Sequence, residues 1–512
     1  MIHHALSDFI LRAYMIQTNT SKEETRLDQN RMPFLESLLA ERNRWQTSFH
    51  MPGHKGRLPL HPMMEDLLGG NPQPADLVEI NGILDYLHSP KGALKQSQEL
   101  AAAAYGADHT FFLINGSTVG NIGAVMSVSS AGQRVIMARA SHRSVYSGVV
   151  LSGAMPVYIE PEYHPQLGSP LAVRAEVVQQ LLNENDHVVA VHITSPNYYG
   201  VISDTARIAQ ITHQQGAVLL VDEAHGSHLN FHEALPESAT RLGADMIIQS
   251  THKTQGALTQ GSMLHCNDHG LVNLGRVAQV LALLQSSSPS SLLLASLDAA
   301  RMQMATQGHA LLDRVITLAQ QARQAIRKID GLWCYGDELI GTVGVYAYDP
   351  TKLIIRTTDA GYTGYEAYDK LRYEHRIDAE FSDLRQVICS VTIGDTEESI
   401  NKLIKALQAI AAEARPAKQP QAEVAPPAGL PQLVISPREA YFAKSRAVPI
   451  QDAVGEVVAE NIIPYPPGIP LLVPGEVMEH QHLAYLDYIM KQGSGVVGPE
   501  DKSLRKVRVV VQ

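Results

Sequence analysis

Cysteine is scarce in this chain of 512 residues. Its three cysteines, Cys266, Cys334 and Cys389, are far apart and in no CxxC pair, which excludes a disulfide framework or a thiolate zinc site and fits a reducing cytoplasm. Positive charge is also in short supply. The 41 Lys and Arg against 52 Asp and Glu leave a formal net charge of −11, so neither nucleic acid nor an anionic membrane is expected as a partner. The chain has no run of about 18 apolar residues, the minimum for a spanning helix. One of the longer runs, 280–284, ends in Gln285 and a serine stretch. Residues 1–17 mix His3, His4, Asp8 and Arg12 among apolar residues, so no secretion signal is expected. The chain is 45% hydrophobic and 18% charged, a globular balance in which its length suggests about three structural units.

Short apolar runs at 109–114, 134–139, 155–159, 187–193, 217–221, 245–249 and 262–266 read as strands. Most are apolar on both faces, as strands are when helices cover both sides of a mainly parallel sheet. Helical spacing fills 172–183 and 204–215, the latter with Ser203 and Asp204 as cap candidates and Gly216 as its stop. This predicts a three-layer α/β unit. A long helix is expected over 296–330, then alternating strands and helices to 412, including helices at 364–375 and 396–412. The expected division is an N-terminal segment 1–45, a large α/β domain 46–295, a smaller α+β domain 296–414, a Pro/Ala-rich linker 415–431 and a C-terminal domain 432–512.

Four places carry candidate chemistry. Asn115-Gly116-Ser117-Thr118 follows a strand and opens a helix, where amide N–H groups, the helix dipole and two hydroxyls can hold one phosphate. Simple Ser or Thr capping is the plainer reading of that motif alone. Asp222 closes an apolar strand at the edge where open parallel sheets bind ligands. Lys253, in Gln249-Ser250-Thr251-His252-Lys253-Thr254, follows the next strand, where partial desolvation can free its amine to form an imine. His142, after the strand ending at 139, can lie over a flat ring. A phosphate cradle, an amine and an acid for a ring nitrogen together match pyridoxal 5'-phosphate. No metal site is expected.

These residues lie in stretches that resemble the fold type I pyridoxal-phosphate decarboxylases of ornithine, lysine and arginine. The stretches are HMPGHKGRLPL at 50–60, FFLINGSTVGN at 111–121, ASHRSVYSG at 140–148 and SPNYYGV at 195–201. LLVDEAHGSH at 219–228, QSTHKTQGALTQGSMLH at 249–265 and PYPPGIPLLVPGE at 464–476 complete the set. The resemblance implies an aspartate aminotransferase-like large domain with Lys253 as the Schiff-base lysine and Asp222 on the pyridine nitrogen. His142 would stack on the ring, and Gly116, Ser117, Thr118, Ala224 and Ser250 would bind the cofactor. His252 is implied as a cofactor neighbour and proton donor, and Ser287 as a residue reaching the phosphate of a neighbouring chain, so a homodimer or larger homo-oligomer is expected. About fifty residues precede PGHKG, which resembles the short, biosynthetic branch rather than members with an N-terminal wing.

A basic substrate side chain needs a buried carboxylate partner, for which Glu380, Asp383 and Glu476 are the candidates. Arginine is the expected substrate, by analogy with the short branch. Lysine or ornithine decarboxylation, an aminotransferase or aldolase, and a catalytically inactive regulatory homologue are the alternatives. Lys55, a second conceivable Schiff-base lysine, lies in a Pro/Gly-rich coil away from any strand end.

Overall fold

Seven strands form one sheet: β1 (His109–Leu113), β2 (Arg134–Ala138), β3 (Met155–Ile159), β4 (Val188–Thr194), β5 (Val218–Asp222), β6 (Met246–Gln249) and β7 (Ser262–Cys266). The computed structural model describes residues 27–44, 47–78, 84–413, 427–465 and 468–511. Residues 1–26, 45 and 415–426 of the expected N-terminal segment and linker, and 466–467 of the PYPPGIP stretch, lie outside the described residues.

The strand order is β1-β7-β6-β5-β4-β2-β3. Pairing is parallel from β3 to β6, and β7 runs antiparallel to both its neighbours. Helices Gly116–Val128, Arg143–Ser152 and Leu274–Leu284 cover one face through Val125, Val149 and Leu281, whereas Ala175–Glu184 and Thr205–Gln214 cover the other through Val178 and Ile208. Two apolar cores thus sandwich the sheet, the three-layer arrangement its strands require. Gly120 sets the first of these helices close: a Cβ there would lie 2.7 Å from Ile248 Cγ2 of β6.

Some boundaries shift for local reasons. The helix expected from 172 begins at Ala175, because the Ala172 amide donates to the Gly344 carbonyl and the Val173 amide to Ser203 Oγ. That commits Ser203 elsewhere, and Asp204 alone caps the next helix by accepting from the Arg207 amide at 3.0 Å. The long helix runs Ser291–Ile326, starting early because Ser290 caps it.

That helix packs beneath a four-stranded sheet that includes Lys352–Arg356 and Gln386–Ser390, with helices Gly364–Tyr373 and Glu397–Ala412 completing the smaller core. A C-terminal unit pairs Ser445–Pro449 with Lys506–Val510 and Ile463–Tyr465 with Gly495–Val497 around helix His480–Lys491. Among the described residues no helix is long and apolar enough to cross a membrane. All three cysteines are free.

Candidate active site

The three units meet around a cavity of about 800 Å³. The large domain lines it with His142, Tyr198, His225 and Lys253, the smaller domain with Lys352, Glu380 and Ser390, and the C-terminal unit with Ile463 and Tyr465. Its floor is the edge where parallel strands end and ligands bind in such sheets. Asp222 ends β5, and Lys253 lies in the short helix Thr251–Thr254 that follows β6.

Lys253 projects into the cavity, so its side chain touches solvent there while protein surrounds it. That enclosure pushes its pKa below the ordinary lysine value, with the Lys352 charge acting in the same direction and Asp222 and Glu380 opposing it. Its Nζ stands 3.0 Å from Nε2 of His225, a buried imidazole that burial and the neighbouring cations hold well below its usual pKa.

Asp222 is buried, and amides hold both its oxygens: Asn121 Nδ2 donates to Oδ2 at 2.8 Å and the Ala224 amide to Oδ1 at 3.1 Å. The same Asn121 amide donates to Ser144 Oγ at 3.0 Å, and Ser144 Oγ donates to His142 Nδ1 at 2.7 Å. The Ser144 amide also donates to that nitrogen, at 3.3 Å, so His142 keeps its own proton on Nε2. Burial lowers its pKa, and a neutral imidazole forms one wall of the cavity.

At the start of helix Gly116–Val128 the Asn115 side chain makes no cap, which leaves first-turn amides for another acceptor, apart from that of Gly116, which donates to the Gln260 carbonyl at 3.0 Å. Ser117 Oγ lies 2.7 Å from Ser250 Oγ and 3.3 Å from Ser262 Oγ, and Thr118 is exposed beside them. A Cβ at Gly116, whose φ is +72°, would meet nothing within 4 Å. An uncapped helix start with clustered hydroxyls and open space above it fits a phosphate. The lone pairs left on Asp222 fit a protonated ring nitrogen, so the residues present fit pyridoxal phosphate.

Other expected site residues lie elsewhere. His252 turns away, its Nδ1 donating to the Gly261 carbonyl at 2.8 Å. Ser287 is exposed in the loop after helix Leu274–Leu284, beside Ser286, whose carbonyl accepts from His88. Glu380 reaches the cavity but is already paired with Lys352, Oε2 to Nζ 2.8 Å.

Two candidates for the carboxylate that pairs with the substrate's basic side chain are corrected. Asp383 is not a cavity wall; it is half-buried in a turn, accepting from Tyr199 Oη and Gln386 Nε2, both at 2.8 Å. Glu476 is enclosed in an ion pair with Arg139, at 2.5 and 2.8 Å, that ties the C-terminal unit to the large domain. Sequence reasoning missed Asn121, Ser144, His225 and Lys352. Asn121, Ser144 and His225 stand in the stretches FFLINGSTVGN, ASHRSVYSG and LLVDEAHGSH, whereas nothing in the sequence signalled Lys352.

Residues 32–399 match the family model for the Orn/Lys/Arg decarboxylase major domain, and 419–495 match that for its C-terminal domain. An arginine decarboxylase of Halalkalibacterium halodurans is 42% identical over 94% of this chain and 98% of that protein. Another from Bacillus subtilis is 38% identical over 94% and 99%. The crystal structure of a lysine decarboxylase from Francisella novicida superposes with a TM-score of 0.80 at 21% identity, covering 94% of this chain and 82% of that one, a likeness of fold. With the major-domain match alone spanning well over half of its length, the chain belongs to the Orn/Lys/Arg decarboxylase family.

Proposed function

We propose that this chain is a pyridoxal 5'-phosphate-dependent arginine decarboxylase, releasing carbon dioxide and agmatine. The observation that carries the reading is Lys253 at the cavity floor with Asp222 ending the adjacent strand and an uncapped, hydroxyl-lined helix start beside them. Arginine is favoured because relatives 38% and 42% identical over nearly the whole chain are named arginine decarboxylases, whereas a lysine decarboxylase of Pseudomonas aeruginosa is 24% identical.

When bound, pyridoxal phosphate supplies a conjugated ring that accepts the electron pair left by departing carbon dioxide. Lys253 offers an amine whose pKa burial lowers, which raises the share of the nucleophilic free base. Asp222, fixed by Asn121 and Ala224, keeps a proton on a ring nitrogen placed against it. His142 supplies a flat neutral face, and Gly116, Ser117, Thr118 and Ser250 receive the phosphate. His252, beside Lys253 in the chain, would return a proton to product only by turning from Gly261. Glu380 is the expected-site carboxylate that lines the cavity and the proposed partner of the guanidinium, which would share it with Lys352.

The working unit is a homodimer in which Ser287 enters the neighbouring chain's site. Apolar Phe49, Met51, Leu58, Met63 and Leu67 are each more than 60% exposed on the single chain, which supports a covering partner. The test is to supply purified protein with the cofactor and with arginine, lysine and ornithine in turn, measuring carbon dioxide and the amine formed. Agmatine as the main product, abolished by Lys253→Ala, is expected. Carbon dioxide release from lysine or ornithine but not arginine would overturn the substrate, and amine exchange without carbon dioxide would overturn the reaction.

A further inference from the structure

At the start of β6, at the sheet edge opposite the cavity, stands a second cluster that the decarboxylation does not use. Asp245 is wholly buried, and each of its carboxylate oxygens meets a different imidazole. Oδ2 lies 2.9 Å from His213 Nε2, and Oδ1 lies 2.8 Å from His269 Nδ1. The two rings converge with centroids 5.1 Å apart, and one ligand atom from each of the three residues falls within 4.8 Å of the others.

Three separate pieces of chain bring these groups together. His213 is in the last turn of helix Thr205–Gln214, Asp245 immediately precedes β6, and His269 follows β7. Asp245 is held further by the Leu219 amide, which donates to Oδ2 at 2.7 Å. The histidine side chains are 28% and 37% exposed, so an ion can enter from solvent while the carboxylate stays enclosed.

A buried carboxylate needs a positive charge close by. Among the described residues the ion-pair partners of Asp245 are these two histidines, with no lysine or arginine. A divalent ion between the three would supply that charge, and two imidazoles with one carboxylate suit zinc and its first-row neighbours better than magnesium or calcium. Three protein ligands leave a further position for water.

We propose that His213, Asp245 and His269 form a binding site for a divalent transition ion of the zinc class, clamping helix Thr205–Gln214 to the β6–β7 edge. A second group, His232, His309 and Asp313, provides an internal comparison, since its carboxylate is 63% exposed and not held in place by burial.

Titration of the cofactor-loaded protein with zinc chloride, followed by calorimetry, tests the site. The wild type should bind one more equivalent than His213→Ala or His269→Ala, and His309→Ala should keep that equivalent. Zinc should raise the melting temperature of the wild type and of His309→Ala, but not of the other two. His269 is the more exposed of the two ligands, so its variant keeps the fold if His213→Ala does not, and His269→Ala alone then decides. Equal zinc binding by the wild type and His269→Ala, or loss of the equivalent in His309→Ala, would overturn the proposal.

Discussion

Nε2 of His225 stands 3.0 Å from Nζ of Lys253, and the proton between them has a direction. On the other side of the ring Nδ1 lies 3.2 Å from Lys352 Nζ, whose ammonium is paired with Glu380 and can only donate. Glu380 Oε1 stands farther from Nδ1, at 3.4 Å, so the nearer Lys352 donor favours acceptance at Nδ1, which puts the neutral ring's hydrogen on Nε2, toward the lone pair of Lys253. The arrangement favours a free amine at Lys253, in accord with its lowered pKa.

Removing Lys352 reverses that bias. In Lys352→Met the like charge disappears and Glu380 loses the lysine that balances it near Lys253, and both changes favour the ammonium form. Cofactor capture by the apoenzyme, followed by its visible absorbance, should reach half its maximal rate about one pH unit higher than in the wild type. An unchanged profile would show that Lys352 does not tune this amine.

Asp222 acts through charge more than shape. Asp222→Asn preserves the volume but loses the anion, and its new amide would face donors from Asn121 or Ala224. The kcat for decarboxylation should fall by about 10²- to 10³-fold, as when one preorganised electrostatic partner is removed, with a much smaller change in melting temperature. A drop of less than about tenfold would remove Asp222 from the reaction.

Lys253 and Asp222 were legible because Asp222 ends one apolar, strand-length run and Lys253 closely follows the next at the same edge of a parallel sheet, a pattern local spacing reveals. The boundaries of the seven strands were legible to within a residue or two for the same reason. His225 was less so: a turn in which the Gly226 amide donates to the Glu223 carbonyl folds it back toward the neighbouring strand's lysine. Lys352 comes from the smaller domain, and no local pattern announces that it enters a pocket built by the larger one. Glu476 misled for the opposite reason. It stands in a distinctive stretch, yet its partner Arg139 is remote in sequence and meets it only when the C-terminal unit docks.

That docking pair gives a stability prediction. Arg139 is buried with its guanidinium against Glu476 and 4.8 Å from the Tyr158 ring centroid. Glu476→Gln strands the arginine charge in the interior, which costs about 3–5 kcal/mol. Melting temperature should drop and the C-terminal unit should become sensitive to limited proteolysis, whereas replacing Glu476 and Arg139 together by apolar residues should recover much of the loss. An unaltered melting curve for the single variant would contradict the pairing.

His192 on β4 predicts how stability responds to acid. Burial pushes its pKa down to about 4, partly opposed by the charge of Asp222, and neither ring nitrogen has a hydrogen-bond partner among the described residues. The folded state resists protonation while the unfolded chain takes up a proton near the ordinary histidine value. Stability associated with this residue is therefore present above about pH 6.5 and lost as pH falls toward 4, by about 1.4 kcal/mol per pH unit. His192→Leu breaks no hydrogen bond and removes the titration, so its stability relative to the wild type should improve steadily over that window. Urea unfolding at pH 7 and pH 5 measures the difference, and a gap between the two proteins that does not widen at pH 5 would show that His192 is protonated in the folded state.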